Sequence, residues 1–203
     1  MFEKSTSSYN AAIAREQFLF YETRITANLV CEGLSSDIIL ARVVKENLFQ
    51  YPTEKSIKRI AQACLRRLNA LGDKSLVQAI TTQPAEVSKQ ICLYAMIRQY
   101  NLVRDFMLSV IGAKYRSLDF SFGKEDVNGF LMRLQAQDDW VATWSYTTIE
   151  KLQQVLRKIL LENKYIDSVN AKQLNPVLIS PVLENAIRAA GQEIILPAFN
   201  CLT

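Results

Sequence analysis

The sequence predicts a mainly α-helical protein, in which a helical bundle is followed by a smaller, mostly helical C-terminal unit carrying a few short strands. Three observations predict it. Only six Gly and five Pro occur in 203 residues, so few positions are marked for turns and long helices fill the intervals. Apolar residues recur at three- and four-residue spacing over most of the chain. They make up 49% of the composition against 22% charged, the balance of a folded protein rather than a disordered one, and the length suffices for a core without disulfides or metals.

The first helix is expected over residues 11–32, where Phe18, Tyr21, Ile25 and Leu29 repeat at helical spacing and Gly33 ends the run; residues 1–10 are expected to be flexible. Ser35 or Ser36 caps a second helix over 37–47, which buries Ile39, Leu40 and Val43 or Val44 before Pro52 breaks the pattern. Thr53 caps the third, whose stripe of Ile57, Ile60, Ala61, Cys64, Leu68 and Leu71 closes at Gly72. A short helix over 73–82 follows. From Pro84 a nearly continuous apolar pattern runs to about residue 118, bent near 99–101, and is expected to form the most buried helix pair.

Residues 118–124 alternate aromatic with polar side chains and end in Gly, which places a junction between a bundle over 11–118 and a C-terminal unit over 124–203. That unit is expected to hold helices over 125–138 and 147–164, then a helix after Pro181 between the β-like runs Val177-Leu178-Ile179 and Ile194-Ile195-Leu196. This order is compatible with a winged-helix variant. Trp140 and Trp144 are expected in its core, with base stacking as the alternative.

Much chemistry is excluded. The chain has no His, which removes His-containing triads, His-ligated metals and the commonest general base at neutral pH. Its glycines never approach phosphate-loop spacing. The adjacent acids Glu125-Asp126 and Asp138-Asp139 point about 100° apart on a helix and make no converging pair. Glu125 and Asp126 suit a helix start, whereas Asp138 and Asp139 receive no role. Cys31, Cys64, Cys92 and Cys201 lie far apart without a CxxC pair, and read as reduced core thiols of a cytosolic protein. No signal-peptide core opens the chain, and the longest apolar stretches fall well short of the ~20 residues that span a bilayer. The expectation is a non-enzymatic cytoplasmic protein with no cofactor, metal, membrane or small-molecule substrate.

Charge points to a partner. The net charge is +4, and the whole excess lies in residues 1–100, with 13 Lys and Arg against 9 acids. On the third helix Lys55, Lys58, Arg59, Gln62 and Arg66 fall within about a third of the circumference, opposite the apolar stripe, and Arg67 extends the edge. No acid interrupts residues 55–71. Like charges at i, i+4 repel, and an anionic partner offsets that repulsion. The ridge suits nucleic-acid phosphates; an acidic protein surface, or solvent alone, is the competing reading. A second candidate face on the helix over 147–164 carries Thr147, Lys151, Gln154 and Lys158, with Glu150 beside it to repel phosphate.

The chain also resembles the BrxA family of BREX phage-defence systems across nearly its full length. The resemblance is carried by Glu22-Thr23-Arg24, by Glu46-Asn47-Leu48-Phe49-Gln50 leading through Pro52-Thr53 into Ser56-Ile57-Lys58-Arg59-Ile60, by Arg66-Arg67-Leu68, and by SYTTIEKLQQVLRKILLE over residues 145–162. It implies a helical protein whose N-terminal part is similar to the NusB fold, which binds DNA and serves beside other BREX components, with an interaction adaptor within the defence complex or an RNA-binding NusB-like factor as the alternatives. It assigns no catalytic residue. The DNA-contacting residues expected from the helical faces are Lys55, Lys58, Arg59, Arg66 and Arg67, with Lys151 and Lys158 as a second patch.

Overall fold

The stripe from Ile57 to Leu71 folds into one long helix, and the surrounding helices of its unit are arranged to cover it. The computed structural model describes residues 7–201, which divide into two compact units, Phe18–Gln99 and the described residues up to Gln17 together with those from Tyr100 onward. Among the described residues there are eleven α-helices and no strand.

The first unit holds α1 (Phe20–Cys31), α2 (Ser36–Lys45), α3 (Glu54–Leu71), α4 (Lys74–Thr82) and α5 (Ala85–Gln99). Helix α3 packs on α1, α2 and α5, and α1 also packs on α4. Its start is capped by Thr53, whose side chain accepts from the Ser56 N–H, and its end by Gly72 at φ +67°, a left-handed position glycine adopts without strain. Ser35 and Asp73 cap α2 and α4 in the same way. Residues 91–97 of α5 are buried without interruption, as expected of the central helix.

The second unit holds α6 (Asn101–Phe106), a π-helical segment (Met107–Gly112), α7 (Ala113–Arg116), α8 (Lys124–Gln137), α9 (Asp139–Ala142), α10 (Tyr146–Glu162), α11 (Pro181–Ala189) and a 3-10 helix (Glu193–Phe199). Helix α10 buries Leu152, Val155, Leu156, Ile159 and Leu160 and packs on α8. The π-helical segment lies against the 3-10 helix, where Gly112 lets two backbones meet: a Cβ there would stand 3.2 Å from the Pro197 carbonyl carbon and 3.3 Å from the Ala198 nitrogen. Buried tyrosines tie the irregular segments down, Tyr115 donating to the Asn175 carbonyl at 2.6 Å and Tyr165 to the Ala198 carbonyl at 2.8 Å.

Several expectations are corrected. The first helix does not begin at residue 11: a 3-10 turn (Ala12–Ala14) is followed by a turn and irregular chain, and Leu19 adopts φ +56° before α1 starts. Of the N-terminal stretch expected to be flexible, residues 1–6 lie outside the described residues. Residues 7–10 are held, Tyr9 donating to Asp105 at 2.5 Å and Asn101 to the Ser8 carbonyl at 3.1 Å. The units part at Gln17/Phe18 and Gln99/Tyr100 rather than in 118–124, because Tyr100 is extended (φ −125°, ψ 111°) and ends the run of α5. Residues 120–122 are tied within the second unit, Phe122 and Leu174 N–H groups donating to Lys172 and Phe120 carbonyls.

The β-like runs are not strands. Val177–Ile179 is irregular, the Val177 carbonyl accepting from Asn200 Nδ2 at 3.2 Å instead of from a ladder partner. Ile194-Ile195-Leu196 lies in the 3-10 helix, where Ile195, Leu196 and Phe199 are buried and Ile194 points outward, a helical spacing that three apolar residues alone do not reveal. The winged-helix expectation loses its strands with them. Asp138, without a role in the sequence, caps α9 by accepting from the Val141 N–H at 3.0 Å, and Asp139 opens that helix.

The cysteines also separate. Cys64 and Cys92 are wholly buried, and burial pushes their thiols up to about 11 and about 12, against the opposing pull of Arg67. Cys31 is exposed, contrary to the core reading. In the native protein at neutral pH, Cys31 is expected to react with a thiol reagent while Cys64 and Cys92 stay unmodified until denaturant unfolds the chain, as followed by peptide mapping. Gly112→Val is expected to cost about 2 kcal/mol of stability in urea unfolding, because its neighbours are backbone and yield little.

Candidate nucleic-acid interface

Helix α3 has little surface left once α1, α2 and α5 are packed on it. Ile57, Ile60, Ala61, Ala63, Cys64, Leu65, Leu68 and Leu71 are buried, so its exposed side chains collect on one arc. Lys55, Lys58, Gln62 and Arg66 occupy that arc, with Arg59 half-buried at its edge. From Lys55 to Arg66 the ridge rises about 16 Å along the helix axis. Duplex DNA carries a charge per about 1.7 Å of its axis, so a ridge of that length meets several phosphates.

The electrostatics agree. Phe18–Gln99 contains eleven Lys and Arg against seven acids, a surplus equal to the whole net charge of +4, while the other unit is balanced. Among the described residues, Lys55, Lys58 and Arg59 form no ion pair. By contrast, Arg42 on α2 is spent on Glu32 at 2.9 Å and Glu46 at 3.4 Å. A cation without an internal acid keeps its full attraction for an external anion.

Arg67 is not part of the ridge. It is 1% exposed, and its Nη1 donates to the Phe18 carbonyl at 2.9 Å. The helical angle that placed it at the edge of the basic face turns it inward, and the long guanidinium stem reaches the chain just before α1. It is a structural residue of the core.

Lys151 and Lys158 lie on α10, in the other unit. Lys151 is half-buried, and Lys158 is exposed with Nζ donating to Gln17 Oε1 at 3.1 Å. The face is mixed in charge, since exposed Glu150 stands next to Lys151 on α10. Thr147 and Thr148 are engaged with the capping Ser145, at 3.0 and 2.9 Å between hydroxyl oxygens. Trp144 is half-buried, but Trp140 is 47% exposed, against the core expectation.

Two residues escaped the sequence reading. Lys45, in the last turn of α2, lines an open groove with Lys55, Lys58, Leu40, Val44 and the acids Asp37 and Glu54, so α2 adds one cation and one acid beside the ridge. Its place in a last helical turn looked like ordinary dipole compensation. Tyr51, in the loop before α3, donates to Glu22 Oε1 at 2.5 Å. Both meet α3 only through the packing of separate segments. No cluster of His, Cys, Asp or Glu suited to a metal occurs among the described residues, and no described helix is long and apolar enough to cross a membrane.

A family model described as BrxA matches residues 7–191. The chain belongs to the BrxA family, a component family of BREX phage-defence systems. This BrxA-family chain is 32% identical over 190 residues to the "BREX protein BrxA" of Bacillus cereus (strain H3081.97), covering 93% of the chain and 94% of that relative. It is 24% identical over 188 residues to the "BREX protein BrxA" of Paramagnetospirillum magneticum (strain ATCC 700264 / AMB-1), covering 93% and 94%. The crystal structure of an uncharacterized protein from Magnetospirillum magneticum superposes with a TM-score of 0.83 at 23% identity, over 95% of this chain and 98% of that one, and so shares its fold.

Neighbouring arginines of this BrxA-family helix are expected to behave in opposite ways. Arg67→Ala should cost about 3 kcal/mol of unfolding free energy, from a buried cavity and an unsatisfied carbonyl, whereas Arg66→Ala should stay within about 0.5 kcal/mol. Chemical denaturation of both variants checks the difference.

Proposed function

We propose that this BrxA-family chain is a non-enzymatic DNA-binding component of its BREX system, working beside other components of that system in the cytoplasm. The observation that carries the proposal is the exposed arc of Lys55, Lys58, Gln62 and Arg66 on α3, without an acid between Lys55 and Arg66, edged by Arg59 and adjoined by a groove that adds Lys45 with Asp37 and Glu54, within a unit that holds the entire charge surplus. Contacts of this kind neutralise backbone phosphates and carry little sequence preference. Lys151 and Lys158 form a second, weaker contact. A NusB-like character of the five-helix unit belongs to the same proposal and is supported by the family resemblance.

The test is fluorescence anisotropy with duplex DNA, single-stranded DNA and RNA at two salt concentrations. Four phosphate contacts give a log–log salt slope of about −3.6 on duplex DNA. Reversing Lys55, Lys58 and Arg66 to Glu is expected to weaken binding by more than about tenfold and to flatten that slope. A salt-insensitive response, or preference for RNA, contradicts the proposal.

The groove between α2 and α3 favours a second reading. Its floor includes Leu40, Ala41 and Val44 beside the lysines, an apolar surface that phosphates do not need. An adaptor that docks an acidic partner protein there would keep that partner when DNA binding is absent and lose it on the same triple reversal.

A further inference from the structure

The second unit is balanced in charge as a whole but uneven along the chain. Between Arg133 and Lys151, residues 134–150 hold the acids Asp138, Asp139 and Glu150 and no Lys or Arg, and the same stretch carries Trp140, Trp144 and Tyr146. The backbone gathers these residues at one corner of the unit. Asp138 ends α8 and caps α9, accepting from the Val141 N–H at 3.0 Å. The Thr143 and Trp144 N–H groups donate back to the Trp140 and Val141 carbonyls at 3.1 Å each, and Ser145 caps α10 so that Tyr146 opens it. Helix α8 packs on both α9 and α10.

At this corner Trp140 is 47% exposed and Tyr146 75% exposed. Asp139 and Glu150 are exposed as well, and neither forms an ion pair among the described residues. Tryptophan is highly buried on average, and Trp and Tyr are the aromatic types that anchor protein interfaces. Open aromatic rings among unpaired acids therefore have the composition of a binding surface. The carboxylates repel nucleic-acid phosphates and anionic lipid headgroups alike. An arginine suits both features, since its guanidinium forks onto a carboxylate and lies flat on an indole or phenol ring.

We infer that the corner formed by Asp139, Trp140, Tyr146 and Glu150 is a docking surface for a basic, arginine-bearing segment of a partner protein. The charge complementarity is local: the acids attract the segment, and the rings take its guanidinium groups. The inference goes beyond the DNA-binding reading and does not depend on it, because the surface belongs to a different unit from the basic ridge and leaves α3 to nucleic acid. It also accounts for the open Trp140, which neither the fold nor the ridge explains.

The experiment uses the full chain in two measurements. In the first, the Trp140 indole N–H resonance, assigned by its loss in Trp140→Phe, is followed by NMR while tetra-arginine or tetra-glutamate peptide is added. Tetra-arginine is expected to shift the resonance and tetra-glutamate to leave it in place, with Asp139→Asn weakening the arginine peptide about threefold. In the second, Tyr146→p-benzoylphenylalanine is photo-cross-linked in cells that carry the BREX system, and the cross-linked peptide is sequenced by mass spectrometry. The expected product is a net basic, arginine-containing peptide of another protein, lost in Asp139→Lys and retained when Lys55, Lys58 and Arg66 are reversed to Glu. An unmoved Trp140 resonance, equal shifts with both peptides, no cross-link, a cross-link that survives Asp139→Lys, or one to an acidic or uncharged peptide, to nucleic acid or to a second copy of this chain overturns the inference. Asp139→Asn and Trp140→Phe should leave duplex DNA binding at the parent's value, so a parent that binds no DNA contradicts the DNA-binding reading alone.

Discussion

Burial of α3 is the constraint on which the rest of the first unit depends. An 18-residue helix covered by three others has one narrow arc open to solvent, and its long cationic side chains must either reach that arc or be satisfied inside. Lys55, Lys58 and Arg66 take the first course. Arg67 takes the second, and its bond to the Phe18 carbonyl holds the chain at the point where one unit gives way to the other. The same geometry therefore produces both the basic ridge and a core arginine from adjacent positions.

The ridge differs from a solvated charged face in how its charges are partnered. Arg42 and Arg188 are absorbed into i, i+4 or neighbouring ion pairs, the ordinary fate of surface arginines. Lys55, Lys58 and Arg59 are not, although Glu22 and Glu54 belong to the same unit. Local repulsion along α3 is a small cost, a few tenths of a kcal/mol per pair, and an anionic partner offsets it. The second unit, with balanced charge and acids interspersed among its lysines, shows the opposite arrangement.

That second unit is held together differently. Its irregular segments carry no sheet ladder among the described residues, so side chains perform the backbone's accounting: Tyr115, Tyr165, Asn175 and Asn200 each satisfy a carbonyl outside the α-helices. Gly112 then permits the close approach of the π-helical segment and the C-terminal 3-10 helix.

Helices with strong signals at both ends are legible in the amino-acid order alone. Helix α3 between Thr53 and Gly72, α2 after Ser35, and α10 after Ser145 stand where caps and apolar period place them, because both are local properties. That order also places Lys55, Lys58 and Arg66 on one face, since helical phase is set by spacing alone. Tertiary structure decided the rest. Arg67 turned inward because α3 is buried over more of its circumference than its apolar stripe suggests, and the runs at 177–179 and 194–196 avoided strand geometry because no ladder partner is present for them among the described residues. Tyr51 reached Glu22 across 29 positions, and Lys45 joined Lys55 and Lys58, through packing between segments whose separation no local pattern encodes.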